Sequence, residues 1–278
     1  MATAGRSCPA CGAIAATRFC PACGQRLVAE TDGSARGLAP LPFATSLPAR
    51  LLASLRALAA PPGRLTAEWL RGRQTPYLAP LTLFLWVNVA FFVVQSASGL
   101  SVLAWPLRAH LAQSHFGELD RMMLARFRPG TTAGYPSVFD PLESVHAKSM
   151  VILMVPAFAL LLQLLLRDRR IRFRDCNSFA LNLYAYALIW LCALFPVAAI
   201  VIRILFLIGA HVVPADADLA ISALEAIGIG WYLAIALETV WNLPRWRSLA
   251  STLLLVLAMG LLLQPYHFAV FVATMFAT

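Results

Sequence analysis

Residues 78–95 read LAPLTLFLWVNVAFFVVQ, an apolar run that contains no charged side chain. About 20 helical residues cross the hydrocarbon core of a bilayer, so this run predicts a membrane-spanning helix. Four similar runs follow it and predict further spans at 149–166, 179–208, 220–241 and 249–276. The sequence therefore predicts an all-α, polytopic transmembrane helix bundle with about five spans. The last run is interrupted by Gln264-Pro265-Tyr266-His267, which is compatible with one kinked span or with a re-entrant segment.

The composition agrees with a bilayer as the solvent of this chain. Of the 278 residues, 60% are apolar and only 13% are charged, whereas about a quarter of the residues of a soluble domain are charged. The formal net charge is +9. Basic residues that flank membrane spans explain this charge without a nucleic-acid ligand, so we expect the lipid bilayer as a partner and no nucleic acid.

The basic residues also predict the orientation of the spans. Residues 167–174, RDRRIRFR, are rich in arginine, whereas residues 211–220, HVVPADADLA, contain two aspartates and no arginine or lysine. Arginine-rich connections stay on the cytoplasmic side, which predicts a bacterial inner-membrane protein with a cytoplasmic N-terminus. The arginines of the first connection are also candidates for contacts with anionic lipid headgroups. They are Arg167, Arg169, Arg170, Arg172 and Arg174.

The N-terminus carries two C-P-A-C-G elements, within residues 7–12 and 19–25. Two residues between a pair of thiolates let both sulfurs face one ion, and the following glycine permits the tight turn behind them. Four sulfur ligands favour structural Zn²⁺ over Mg²⁺ or Ca²⁺. Disulfides and a redox pair fit a small cytoplasmic module less well. The predicted zinc ligands are Cys8, Cys11, Cys20 and Cys23.

These features divide the chain into four predicted segments. They are a zinc ribbon or knuckle at 1–27, a flexible linker at 28–47, juxtamembrane interfacial helices at 48–75, and the transmembrane helical domain at 76–278 with a periplasmic loop at 96–147. The leucines at 51, 52, 55 and 58 suit either a helix in the headgroup region with its arginines facing lipid, or an amphipathic helix packed on protein. Within the loop, residues 108–127 predict one helix and residues 131–145 an irregular segment.

Two ionisable residues in the predicted spans are candidates for a polar pair. Arg203 and Glu225 lie at equal separations from the connection near Pro214, so an antiparallel hairpin would bring them to a similar depth. A charge in a span costs at least a few kcal/mol, which favours pairing. Independent positions near the periplasmic interface are the alternative. His110, His115 and Glu118 are interpreted as surface positions of the loop helix.

The segment after the linker carries a recognisable pattern. Pro62-Gly63-Arg64-Leu65-Thr66, Trp69-Leu70, Gly72-Arg73, Tyr77 and Pro80 follow the C-x-x-C-G…C-x-x-C-G-Q head in this chain. This arrangement resembles a family of bacterial multi-pass membrane proteins known only as a domain of unknown function. The resemblance covers about residues 8–95. It implies membrane placement and a zinc-binding head, and it implies no activity.

The predicted function follows from what the sequence contains. No metalloprotease, serine hydrolase, Walker or dinucleotide-binding motif is present, so we expect no enzyme. The leading hypothesis is a scaffold or regulator whose zinc module docks a cytoplasmic protein partner or the arginine-rich connection of the same chain. The alternative is a transporter or channel for small solutes or lipids that uses polar residues in broken helices. An oligomer is compatible with either hypothesis.

Overall fold

The computed structural model describes residues 6–8, 10–25, 27, 46–98, 103–112, 117–128, 134–209 and 214–278. Two short strands, β1 (Arg6–Ser7) and β2 (Ile14–Ala15), pair antiparallel at the N-terminus. Ten α-helices lie in the described part of the chain. They are α1 (Leu47–Ala59), α2 (Arg64–Leu70), α3 (Pro80–Ser98), α4 (Leu107–Ala112), α5 (Gly117–Phe127), α6 (Tyr135–Met150), α7 (Met154–Leu165), α8 (Phe173–Leu207), α9 (Pro214–Trp241) and α10 (Arg245–Ala277).

Five helical segments are long and apolar enough to cross a membrane, as the sequence predicts. They are Pro80–Ala97, Tyr135–Leu165, Phe173–Leu207, Leu219–Trp241 and Arg245–Ala277. The predicted all-α class with about five candidate spans is therefore confirmed. The predicted linker at 28–47 lies almost wholly outside the described residues.

The second candidate span begins well before the predicted start at Ser149. Residues 135–150 form α6, a 3₁₀ turn follows at Val151–Leu153, and α7 continues to Leu165. The irregular segment expected at 131–145 is thus wrong for its described part, and the loop predicted at 96–147 is largely helical. Pro136 and Pro141 suggested irregular chain, but Pro136 lies in the first turn of α6, where it removes no helical hydrogen bond.

The C-terminal run forms a single helix, which settles the two alternatives for this segment. α10 continues through Pro265 to Ala277, so the re-entrant alternative is wrong. Tyr266, which follows Pro265 in α10, donates its hydroxyl hydrogen to the carbonyl of Ala147. Ala147 lies in the last turn of α6, just before the 3₁₀ turn at Val151–Leu153. A side chain therefore provides a partner for a carbonyl at an irregular point between two apolar helices.

The core of the bundle lies between α3, α7, α8 and α9 and is filled with apolar side chains. Phenylalanines and leucines from these helices are completely or almost completely buried, and alanines of α8 allow its neighbours to approach closely. Representative fully buried side chains are Phe84, Phe158, Leu162, Phe179, Ala180, Ala185 and Leu233. This packing favours one rigid body for the spans.

The juxtamembrane helices pack on protein, and their buried arginine does not face lipid. Arg50 of α1 is buried and donates from Nη2 to the Tyr77 carbonyl, while the Ser54 hydroxyl accepts from the Leu78 N–H at 2.8 Å. In α2, Thr66 is buried and accepts a hydrogen bond from Asn182 of α8 at 2.9 Å. Arg50, Ser54 and Thr66 therefore pack on protein, whereas Arg56 of α1 is exposed.

Gly63 allows the turn between α1 and α2 to contact α9 directly. Its φ of +80° lies in the left-handed region, and a Cβ at this position would lie 2.7 Å from the Cα of Ala236. Backbone atoms on both sides leave no flexible group that could move away. This contact fixes the turn between α1 and α2 against α9.

We expect Gly63→Ala to destabilise the folded protein by about 1–3 kcal/mol, because the added methyl overpacks the contact with Ala236. Thermal unfolding in detergent measures the change. Gly260→Ala in α10 is the matched control, since no atom lies within 4 Å of a Cβ there. Alanine is the better helix former, so the control should be neutral or slightly stabilising. Equal melting temperatures for both variants would contradict the role of Gly63.

Candidate metal centre and other predicted sites

The two C-P-A-C-G elements fold into the same turn. The Cys8 N–H donates to the Ala13 carbonyl, and the Gly12 N–H donates to the Cys8 carbonyl, both at 2.8 Å. Cys20 and Gly24 repeat this pattern at the same distances, with the Gln25 carbonyl as the acceptor for Cys20. Each turn needs a positive φ at its glycine, +78° at Gly12 and +70° at Gly24. We call residues 6–27 the cysteine module.

The four sulfurs converge as one metal site requires. The Sγ atoms lie within 4.8 Å of one another, with 3.6 Å between Cys8 and Cys23 and 3.5 Å between Cys11 and Cys20. A tetrahedral centre with metal–sulfur bonds of about 2.3 Å has sulfur–sulfur edges of about 3.8 Å. All four cysteines are free thiols in the structure. The predicted ligand set is therefore brought together and can hold a metal ion.

The turns also favour ionisation of at least one ligand. Burial opposes ionisation of the Cys20 thiol, but hydrogen bonds from the backbone amides of Cys23 and Ala22 outweigh it and lower the pKa of this thiol to about 7. Thiolate is the form that binds metal. The backbone of the second turn thus prepares one sulfur for coordination.

Gln25 docks the cysteine module on the juxtamembrane segment. This side chain is buried, and its Oε1 accepts hydrogen bonds from the backbone N–H groups of Gln74 at 3.3 Å and Thr75 at 3.0 Å. The Thr75 hydroxyl donates to the same oxygen. Because the Gln25 carbonyl also closes the second cysteine turn, the residue joins the metal site to the chain that leads into α3.

A carboxylate holds the other side of this docking turn. Glu68 of α2 lies 3.4 Å from Arg73 and 3.6 Å from Arg64, and it accepts a hydrogen bond from the Tyr77 hydroxyl at 3.3 Å. Burial and the neighbouring Glu68 charge raise the pKa of Tyr77, so the phenol stays protonated and donates. Residues 72–77 are thus fixed from two sides.

The structure does not join Arg203 and Glu225. Arg203 lies exposed near the end of α8 and Glu225 is partly buried in α9, and no ion pair within 4.0 Å connects them among the described residues. Because the two residues are equally far along the chain from the connecting turn, they lie at a similar depth. Whether their side chains meet depends on how each helix is rotated about its own axis. Independent positions, the alternative to a pair, agree with this geometry.

The arginines of the 167–174 connection lie at one end of the bundle. Arg167, Arg169, Arg170 and Arg172 are exposed, and Arg174 lies 3.8 Å from the Asp175 carboxylate. In the same connection Asp168 accepts a 2.7 Å hydrogen bond from Arg247 at the start of α10, and this bond lowers the pKa of the carboxyl. The exposed guanidinium groups are free of the core and accessible to a headgroup.

A buried polar cluster was missed at the sequence level. His110 was interpreted as a surface residue, but its imidazole is buried between Asp120 of α5 and Glu143 of α6. His267 of α10 lies beside it, with ring centroids 6.3 Å apart. We call these four residues the His110 cluster. Its members come from four helices, so no local spacing could indicate it, and His115 lies outside the described residues.

Comparison with known proteins gives one match. A family described as "Protein of unknown function (DUF3667)" matches residues 49–92. This stretch covers α1, α2 and most of α3, which carry the P-G-R resemblance, and it leaves the cysteine module outside. The searches of curated proteins and of solved structures found no match. The match supports the resemblance in the juxtamembrane segment and brings no activity with it.

We expect the purified protein to retain about one metal ion per chain and to lose it in the Cys8→Ser and Cys20→Ser variants, because a three-sulfur site binds more weakly. Elemental analysis by mass spectrometry measures the content. Cys192→Ala is the matched control, since this thiol lies in α8, far along the chain from the module. Full metal content in the ligand variants, or none in the parent protein, would contradict the assignment.

Proposed function

We propose that this protein is a non-enzymatic scaffold or regulator in a bacterial inner membrane, whose zinc-loaded cysteine module docks a cytoplasmic protein partner. The observation that carries the proposal is the Gln25 contact with Gln74 and Thr75, which fixes the module on the helical body. A module held in this way presents a defined surface. The asymmetric distribution of arginine supports a cytoplasmic position for it.

The exposed surface of the module supports a protein partner. Ile14 is 75% exposed and Phe19 is 46% exposed, although a module of this size has few apolar side chains to spare. Zinc is the ion that four thiolates favour, and it supplies the rigidity that a small core cannot, with about 10–16 kcal/mol in comparable peptides. A metal-stiffened turn that displays two apolar side chains is suited to recognition of an apolar segment.

The interior of the bundle supports a scaffold more than a transporter. The centre of the described spans is filled with phenylalanine and leucine, and the Arg203–Glu225 pair that a polar pathway could use is not formed. The exposed arginines of residues 167–172 would bind anionic lipid headgroups and hold this end of the bundle at the membrane surface.

We expect Gln25→Ala to release the module, because the Thr75 amide then loses its acceptor and the Gln74 amide keeps only the Gly72 carbonyl. One hydrogen bond is worth about 0.5–1.5 kcal/mol, so amide exchange at these two residues should speed up several-fold. Thr75→Val should act in the same direction. Gln74→Ala is the matched control, since only the backbone of Gln74 binds Gln25. Unchanged exchange in Gln25→Ala would refute the docking contact.

We expect partner binding to depend on the metal and on the apolar surface together. A pull-down from the native membrane should lose the same protein in the Cys8→Ser variant and in Ile14→Ser/Phe19→Ser. Ala22→Ser, an exposed substitution on the second cysteine turn, is the control and should retain it. If all four preparations capture the same set of proteins, the module is not the docking element and the proposed function fails.

A further inference from the structure

The His110 cluster places one imidazole between two carboxylates. His110 Nδ1 lies 3.6 Å from Asp120 Oδ2, and His110 Nε2 lies 3.5 Å from Glu143 Oε1. His110 and Asp120 are 1% exposed, and Glu143 is completely buried. A nitrogen that faces a carboxylate carries a proton, so an imidazole with a carboxylate on both sides is an imidazolium.

Several polar atoms of this cluster are buried without a further partner. Asp120 Oδ1, Glu143 Oε2 and His267 Nδ1 are buried and have no hydrogen-bond partner in the part of the chain that is described. An uncompensated buried charge costs several kcal/mol, so the two carboxyl groups need the cation that His110 provides between them.

The geometry favours a proton over a metal ion as this cation. The two carboxylates approach opposite nitrogens of one ring, so they cannot bind the same ion together with His110. Among the described residues, only the four cysteines of the N-terminal module bring three or more potential ligand atoms together. A proton needs no convergence, because one ring nitrogen binds it alone.

The neighbouring groups include one buried cation, Lys148 of α6, whose Nζ lies 5.4 Å from the centroid of the Phe92 ring. On α6 the Asp140 carboxylate is engaged by the Leu107 N–H at 2.8 Å, and the Trp105 N–H donates to Glu143 at 3.0 Å. On α10 the Tyr266 hydroxyl donates to the Ala147 carbonyl. His267 stacks on Trp105 with ring centroids 3.9 Å apart. Arg108 of α4 and Arg121 of α5 lie at the exposed surface.

We propose that the His110 cluster is a proton-binding site, in which the imidazole of His110 holds a proton between Asp120 and Glu143 while α5 is docked. Loss of this proton removes the cation between the two buried carboxyl groups and weakens the attachment of α5 to α4 and α10. The site lies far from the Asp168–Arg247 end of α10, since His267 follows Arg247 by 20 residues, or about 30 Å of helix.

The outer helix α5 is built to respond to this proton. Asp120 is its buried polar residue, whereas Met122 and Phe127 on other faces are exposed. Gly117 at its start packs closely on α4, where a Cβ would lie 3.1 Å from the His110 carbonyl oxygen. Met123 and Leu124 of α5 are partly buried against an apolar cluster that includes Phe139 and Phe271, and the contact of Asp120 with His110 adds a polar attachment that depends on the proton.

The pH dependence follows from the histidine. Burial lowers the pKa of His110, but Asp120 and Glu143 raise it by more, and the net shift is upward from 6.5. A raised pKa in the folded protein contributes stability that is complete below about pH 6.5 and is lost as the pH rises through the folded-state value. Docking of α5 therefore weakens on the alkaline side and not on the acidic side.

Amide exchange of residues 117–127 tests the coupling to α5. Protection in the wild-type protein should fall as the pH rises, by about tenfold for each unit by which the folded-state pKa of His110 lies above its ordinary value. The measured exchange rates are first corrected for the intrinsic pH dependence of amide exchange. His110→Gln should remove this pH dependence, and His146→Gln, a partly buried histidine of α6 bound to Thr274, should retain it. Protection that is independent of pH in the wild-type protein would contradict the coupling.

Discussion

Hydrocarbon offers no hydrogen-bond partner to a peptide group or a polar side chain, and most of this structure follows from that constraint. The spans are helices because a helix satisfies its own backbone. Where the backbone is irregular, the chain supplies a side chain: Arg50 caps the Tyr77 carbonyl before α3, and Tyr266 binds the Ala147 carbonyl beside the 3₁₀ turn. Between α8 and α2, the Asn182 amide donates a hydrogen bond to the Thr66 hydroxyl.

The same constraint explains why the polar features lie at the ends of the bundle. Near the start of α3, the hydrogen bonds of Gln25 with the backbone of Gln74 and Thr75 join the cysteine module to the helical body. Toward the C-terminal half of α10, the His110 cluster is covered by α4 and α5. Between them, Phe84, Phe158 and Leu233 leave an apolar interior. A bundle of this kind can connect two surfaces mechanically, which suits a scaffold or a regulator.

Local chemistry was predictable from the sequence because its determinants are adjacent in the chain. The spacing of Cys8 and Cys11, repeated at Cys20 and Cys23, predicted a four-sulfur centre, and the turns form as the glycines require. Apolar run lengths predicted five candidate spans. The error at 135–150 has a local cause as well: Pro136, Pro141 and polar residues suggested irregular chain. Pro136 lies in the first turn, where it does not disturb a helix, and α6 continues through Pro141.

Contacts between distant segments could not be predicted in this way. The sequence alone determined the all-α class, the number of candidate spans and the set of four cysteines, since hydropathy, helix length and ligand spacing are properties of short windows. Only the tertiary structure decided that Gln25 meets Thr75, that Arg203 and Glu225 stay apart, and that His110 is buried between two carboxylates. Those outcomes depend on how each helix is rotated about its axis, and packing against all neighbours together sets that rotation.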